Sequence, residues 1–251
     1  MDTVYDDNRK YRIYIVAQSL LDGKLNTTNT QFIYTLLGNT QAAKRARLLT
    51  KAVDPKEHAL WTLADLYTYL VAGCVGPFWT ALHVAHRPRL AAWDVEQMSA
   101  RGIRFGKALQ MTNVLRDVPR DLRAGRCYLP ARELEPLGVR PIDLLDPELA
   151  LRARPLVRRL IALTLDHYDV AWRYTLAIPR AEWRMRLACA WPLLIGLGTL
   201  GRLARHPNPL AATAPIKVPR SAVRAMIARS LVTVWSNGAL EQQSARLRAI
   251  D

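Results

Sequence analysis

Residues 105–130 read FGKALQMTNVLRDVPRDLRAGRCYLP. Inside this stretch Gln110, Asn113, Asp117 and Asp121 follow one another at steps of 3, 4 and 4. Those steps predict a helix with all four side chains along one face. Gly106, then Gly102 or Ile103, and then Ser99 continue the face upstream. The face is therefore polar and acidic toward its end and small or apolar before it. Arg116 sits beside the acidic pair. Two carboxylates one turn apart repel each other. A divalent cation would relieve that, and Mg²⁺ prefers oxygen ligands, taking one or two carboxylates together with substrate phosphates. A plainly solvated helix end is the alternative, although Met111, Val114 and Leu115 crowd the stripe with apolar side chains. Pro119, between the two aspartates, predicts a kink, because it lacks the backbone donor that the helix needs there.

The chain opens with a second pair of the same spacing, Asp2 and Asp6 in MDTVYDD. One such pair is weak evidence, since acidic residues favour any first helical turn. Two pairs suggest two helices facing across a cavity, each giving carboxylates to a metal–diphosphate cluster. A third stretch, LADLYTYLVAGCVG at 63–76, places Tyr67 in an apolar helix and removes bulk at Ala72, Gly73 and Gly76. Small residues there allow close helix approach or leave room for a ligand tail.

Working outward, the 251 residues are half hydrophobic and carry a net charge of +15. That composition excludes wholesale disorder and suffices for a sizeable core. Alternating β-branched runs are nearly absent, while Leu, Ala and Arg dominate, so an all-α protein is expected. The charge suggests anionic partners: phosphorylated substrates, an anionic membrane surface or nucleic acid. Three cysteines at wide spacing form neither a zinc pattern nor a disulfide framework, which suits a reducing compartment. The acidic start lacks the basic and apolar regions of a secretory signal. The expected location is the cytoplasm, with peripheral contact at the inner face of the membrane left open. The most apolar run, residues 187–201, is shorter than the ~20 residues of a spanning helix and reads as a buried core helix.

Helices are expected at about 9–22, 30–37, 41–52, 58–84, 92–121, 147–177, 181–204 and 220–234, with a short one closing the chain. The Pro-rich segment 205–219 reads as a loop. Long helices joined by short loops suggest a bundle around one cavity. Five of the seven lysines fall within the first 56 residues, a shift in composition from the Arg-rich remainder. His83 and His86 lie one turn apart but have no further metal ligands near them in sequence, so a zinc site is not expected. Trp172, Tyr174 and Trp191 read as core residues.

YTYLVAGCVG (67–76) followed by the 105–130 stretch resembles the squalene/phytoene synthase family, the head-to-head prenyl transferases. The match is strongest over 58–130 and weaker over 131–251, and residues 1–57 diverge. The resemblance implies a single domain, 1–251, with the all-α isoprenoid synthase fold: a helical bundle around a central apolar cavity. Family members carry helices ahead of the first aspartate-rich motif, and this chain is expected to lack them. The implied reaction is Mg²⁺-dependent condensation of two prenyl diphosphates, usually farnesyl or geranylgeranyl diphosphate. The products would be presqualene diphosphate and squalene, with NADPH as reductant, or a phytoene-type hydrocarbon formed by proton loss.

By the same resemblance Asp2, Asp6, Asn113, Asp117 and Asp121 would hold the metal. Arg116 would contact diphosphate, Gln110 would line the site and Tyr67 would steer the carbocation. Ala72, Gly73 and Gly76 would leave room for substrate, and Lys217 in PIKVP would meet diphosphate. Two departures stand out. Arg120 occupies a position where many members carry an acidic residue, and no tyrosine matches near Trp191. Two other readings stand beside this one. The chain could be a truncated, non-catalytic member of the same fold. Or it could be a basic helical protein that binds nucleic acid, although it shows no recognised motif of that kind and its acidic pairs would repel phosphate.

Overall fold

Prolines and glycines set most of the helix boundaries in this chain. The structure, a computed structural model, describes residues 68–248. All regular elements among the described residues are helical. A π-helical turn, Tyr69–Gly73, leads through Cys74 into α1, Val75–His86. Arg87 ends α1 in an extended conformation, as a residue before proline prefers. α2 runs from Val95 to Arg123, α3 from Pro147 to Arg152 and α4 from Arg154 to Ala177. α5 spans Trp183–Arg205, α6 Arg220–Thr233 and α7 Asn237–Arg248. Short helical turns at Ala131–Leu134, Glu135–Leu137 and Pro141–Leu145 link α2 to α3.

The expected 92–121 helix is thus present and slightly displaced, for reasons visible at its ends. The Asp94 carboxylate accepts from the Gln97 amide at 3.0 Å, a side-chain cap that starts the helix. At the other end Gly125, at φ +73°, turns the chain back. The Arg126 amide then donates to the Asp121 carbonyl at 2.8 Å, and the Gly125 amide to that of Leu122 at 2.9 Å. This is the paired closure of a Schellman motif. Pro119 does not end α2, which continues through it; Val118, Pro119 and Leu122 are all buried, and their packing holds the helix past the missing donor.

Elsewhere the expectations needed amendment. The expected helix at 147–177 is two helices, because Pro155 deprives the first turn of α4 of a donor and its ring would crowd the carbonyl four residues back. The stretch near 68–84 is not one uniform helix but passes through the π turn. The 131–145 turns were not anticipated. Segment 205–219 is a loop apart from a 3₁₀ turn at Pro209–Ala211. The helices expected at 9–22, 30–37 and 41–52, and the start of the 58–84 helix, lie outside the described residues, as do Asp2, Asp6 and Tyr67.

α2 is the central element. It packs along α1 on one side and α4 on the other, and it also meets α5. α5 is further flanked by α4, α6 and α7. The segment Arg180–Arg205 is long and apolar enough to cross a membrane, yet 67% of its apolar window is buried within the protein. The expectation of a core helix therefore holds. Leu193, Leu194, Leu197, Leu200 and Leu203 pack inward from it.

One buried cation organises the far side. The Arg186 side chain is fully buried and has no carboxylate partner among the described residues. It donates to the carbonyls of Leu176 and Ile178 at the end of α4, at 3.3 and 2.6 Å. It also donates to the Val234 carbonyl just past α6, at 3.1 Å, and to Asn237 Oδ1 at the start of α7, at 2.6 Å. Helix C-termini carry partial negative charge, so a guanidinium is favoured there. Burial still pulls its pKa below the ordinary arginine value.

Candidate functional site

At 3.6 residues per turn, Gly102, Gly106, Gln110, Asn113, Asp117 and Asp121 fall within about 100° of arc on α2. The first two face α1 and the turn before it. A Cβ on Gly76 would lie 2.1 Å from the backbone carbon of Gly102. A Cβ on Gly106 would lie 2.3 Å from the Ala72 carbonyl oxygen. Backbone therefore meets backbone, and glycine is required on both sides. The small residues singled out in the sequence permit close approach, and they also leave space.

That space is an apolar cavity of about 280 Å³. Val71, Ala72, Val75, Gly76 and Trp79 supply one wall, and Gly102, Phe105, Gly106 and Leu109 of α2 the next. Tyr174 of α4 and Ala188 and Cys189 of α5 close it. Its volume lies just under the range of about 300–1,000 Å³ typical of small-molecule clefts. Of the small residues expected at the site, Ala72 and Gly76 line it, whereas Gly73 is buried against Tyr69 and Ile103.

Tyr174 was expected in the core and stands at the cavity wall as well. Its hydroxyl bonds the Thr80 hydroxyl at 3.0 Å, and Thr80 in turn donates to the Gly76 carbonyl at 2.9 Å. Trp93 and Phe105 meet its ring edge-on, with centroids at 5.6 and 6.1 Å. Burial pushes the phenol up to about 12, so it stays neutral across ordinary pH. Cys189 is likewise pushed up to about 12 by burial and is no thiolate nucleophile. Trp79, Phe105 and Cys189 escaped the sequence reading, and Tyr174 was read only as core, because the cavity draws on four separate segments. Phe105 and Leu109 alone could have been found, as neighbours of the small-residue face of α2.

The other end of the face is charged. Asn113 is exposed, Gln110 and Asp117 are partly buried and Asp121 is buried. Arg116 grips Asp117 with two bonds, from Nε at 2.9 Å and from a terminal nitrogen at 2.8 Å. Arg120 donates to Asp117 at 3.1 Å and stands 3.9 Å from Asp121. Arg126, returned by the Gly125 turn, donates to Asp121 at 3.2 Å. The Arg116 hydrogen bond holds the Asp117 carboxyl below its ordinary value, with the charges of Arg116 and Arg120 adding to it. Arginines therefore relieve the repulsion for which the sequence suggested a metal. Arg116, expected to meet diphosphate, commits its Nε and one terminal nitrogen to Asp117. Lys217 is exposed and is not among the cations paired with either aspartate.

The donor set still suits magnesium. Asn113, Asp117 and Asp121 offer hard oxygen atoms from one helical face, and Mg²⁺ takes one or two carboxylates and completes its shell with water and phosphate. Among the described residues no group of three His, Cys, Asp or Glu is placed to hold a metal by itself. His83 does not contribute, since its Nδ1 is bonded to the Trp79 carbonyl at 3.1 Å.

A family model for squalene/phytoene synthase matches residues 52–222. The chain belongs to the squalene/phytoene synthase family. The all-α architecture of the described residues agrees with the isoprenoid synthase fold of that family. Similar proteins include phytoene synthase of Arthrospira platensis, 37% identical over 112 residues, which are 43% of this chain and 36% of the relative. The 15-cis-phytoene synthase of Enterobacter agglomerans is 32% identical over 140 residues, 55% of this chain and 45% of the relative. Chloroplastic phytoene synthase 3 of Zea mays is 39% identical over 97 residues, 39% of this chain and 22% of the relative. The chain thus spans less than half the length of these squalene/phytoene synthase relatives.

Proposed function

We propose that the protein condenses two prenyl diphosphates head to head. One observation carries this reading: a single face of α2 joins an apolar cavity to a pair of aspartates. Gly106 and Asp117 are eleven residues apart, about 16 Å along a helix. An amphipathic substrate with an apolar tail and a diphosphate head matches that polarity and scale.

In this reading Asp117 and Asp121, with Asn113, would hold Mg²⁺, which would stabilise negative charge on a diphosphate leaving group. The C1–O bond of the first substrate breaks, and its electron pair leaves with pyrophosphate. The double bond of the second substrate attacks the allylic cation, and proton loss closes a cyclopropane. A second ionisation and rearrangement, followed by loss of another proton, gives a phytoene-type hydrocarbon. The relatives described above are phytoene synthases, which favours this outcome over reduction by NADPH. Trp79, Phe105 and Tyr174 keep water from the cation and present π faces to it. Tyr174, neutral at working pH, does so without adding charge.

A second reading, a non-catalytic member of the family, is favoured by the arginines that occupy both aspartates. Incubation with farnesyl or geranylgeranyl diphosphate and Mg²⁺, with and without NADPH, followed by mass analysis of products, separates the two. The expected result is an NADPH-independent hydrocarbon that disappears in Asp117→Ala. Product formation unchanged in Asp117→Ala would remove the assigned site, and no product from either substrate would favour the non-catalytic reading.

A further inference from the structure

Two carboxylates at the acidic end of α2 face three guanidiniums, so the described groups there sum to one positive charge. Arg120 is the only one of the three within 4 Å of both aspartates, at 3.1 Å from Asp117 and 3.9 Å from Asp121. Arg116 reaches Asp117 alone and Arg126 reaches Asp121 alone. Arg120 is also the most exposed of the three, with 71% of its side chain open to solvent, against 18% and 10% for the two aspartates. It can leave without unfolding anything.

We propose that Arg120 is a built-in counter-ion for the aspartate pair, balancing charge that Mg²⁺ would otherwise balance, and that it turns to a diphosphate bound beside the pair. This inference rests on the prenyl diphosphate reading for the identity of the anion. Two consequences follow from electrostatics. A divalent cation arriving alone meets a pair whose charge three guanidiniums already outweigh, so metal alone binds weakly. A diphosphate arriving with the metal gives Arg120 new oxygen acceptors in the planar geometry that guanidinium prefers. Metal and diphosphate therefore bind cooperatively, each lowering the cost of the other, and the coupling is reciprocal.

The test uses the full chain, Mn²⁺ as a spectroscopic substitute for Mg²⁺, and inorganic pyrophosphate. Electron paramagnetic resonance measures Mn²⁺ binding, and titration calorimetry measures pyrophosphate binding in the presence of Mg²⁺. Arg120→Gln is expected to bind Mn²⁺ alone about tenfold more tightly than the native chain and Mg²⁺–pyrophosphate about tenfold more weakly. The gain should shrink at high salt, since the pair is partly exposed. Arg120→Lys, which keeps the charge and loses the fork, should retain the weak Mn²⁺ binding. Unchanged Mn²⁺ affinity in Arg120→Gln would overturn the proposal. So would Mn²⁺ binding in Arg120→Gln that survives a further Asp117→Asn, because the metal would then lie elsewhere. No prenyl substrate enters either titration. A chain that shows the tenfold exchange yet makes no prenyl product would keep the counter-ion and lose the catalytic reading.

Discussion

Between Gly102 and Leu109, α2 touches the backbone of α1 and the π turn, and whatever space remains is lined with apolar side chains. Between Asn113 and Arg126, the same face of the same helix carries carboxylates clasped by arginines near solvent. The first region is held by shape: no side chain fits between Gly76 and Gly102. The second is held by charge, and its pairs are ones that solvent and salt weaken. If the protein binds prenyl diphosphates as proposed, the contrast makes tail recognition rigid and built into the fold, and head recognition adjustable and dependent on which cations are present.

Mutations at the two ends should therefore differ in size. The largest effect is expected at the backbone contact. Gly76→Val places a side chain 2.1 Å from the Gly102 backbone carbon, and the native state should lose at least about 3 kcal/mol, read from urea denaturation. A loss under 1 kcal/mol would show that the interface yields and that its rigidity is overstated. A smaller effect is expected at the cavity wall. Tyr174→Phe removes the bond to Thr80 but leaves Thr80 bonded to the Gly76 carbonyl, so the cost should be about 1 kcal/mol. Thermal unfolding checks this.

The smallest effect is expected at the acidic end. The Asp117 carboxyl is held below its ordinary value of 3.8. A lowered native pKa adds stability that is present above the unfolded value and is lost as pH falls through the native one. Asp117→Asn should thus cost less than about 1 kcal/mol at neutral pH, as for a partly exposed ion pair. The difference from the native chain should shrink as pH falls below the ordinary carboxyl value of 3.8 and vanish once the native carboxyl is protonated, a shift visible in denaturation midpoints across an acid series. An undiminished difference at low pH would assign Asp117 a role other than its ion pairs.

Much of this contrast could be read from residues 105–130 alone. The step from Gly106 to Asp121 gives the helix, the face and its change from small to acidic, because helical periodicity is a local property. The caps were less legible: Asp94 and Gly125 mark them, but only the fold shows their bonds. Arg126 escaped notice because it lies beyond the helix, and the Gly125 turn is what returns it to Asp121. Tyr174 and Cys189 were hidden for a different reason. They meet the cavity from α4 and α5, and nothing in the spacing along one chain reports which distant helices pack together. The π turn at Tyr69–Gly73 has no proline or charge to announce it. Pro155 did announce the break between α3 and α4, against a strongly helical background that concealed it.

The most direct measurement of the central claim, that one face of α2 binds a tail at one end and a head at the other, is calorimetric titration of a non-ionisable prenyl thiodiphosphate with Mg²⁺ present. Asp117→Ala removes a head contact, and Ala188→Trp fills the cavity from an exposed position on its wall. Each should weaken binding at least about tenfold, with only Ala188→Trp sparing the binding of inorganic pyrophosphate. Prenyl thiodiphosphate affinity unchanged in Ala188→Trp would contradict the account, because the tail would then lie outside the cavity.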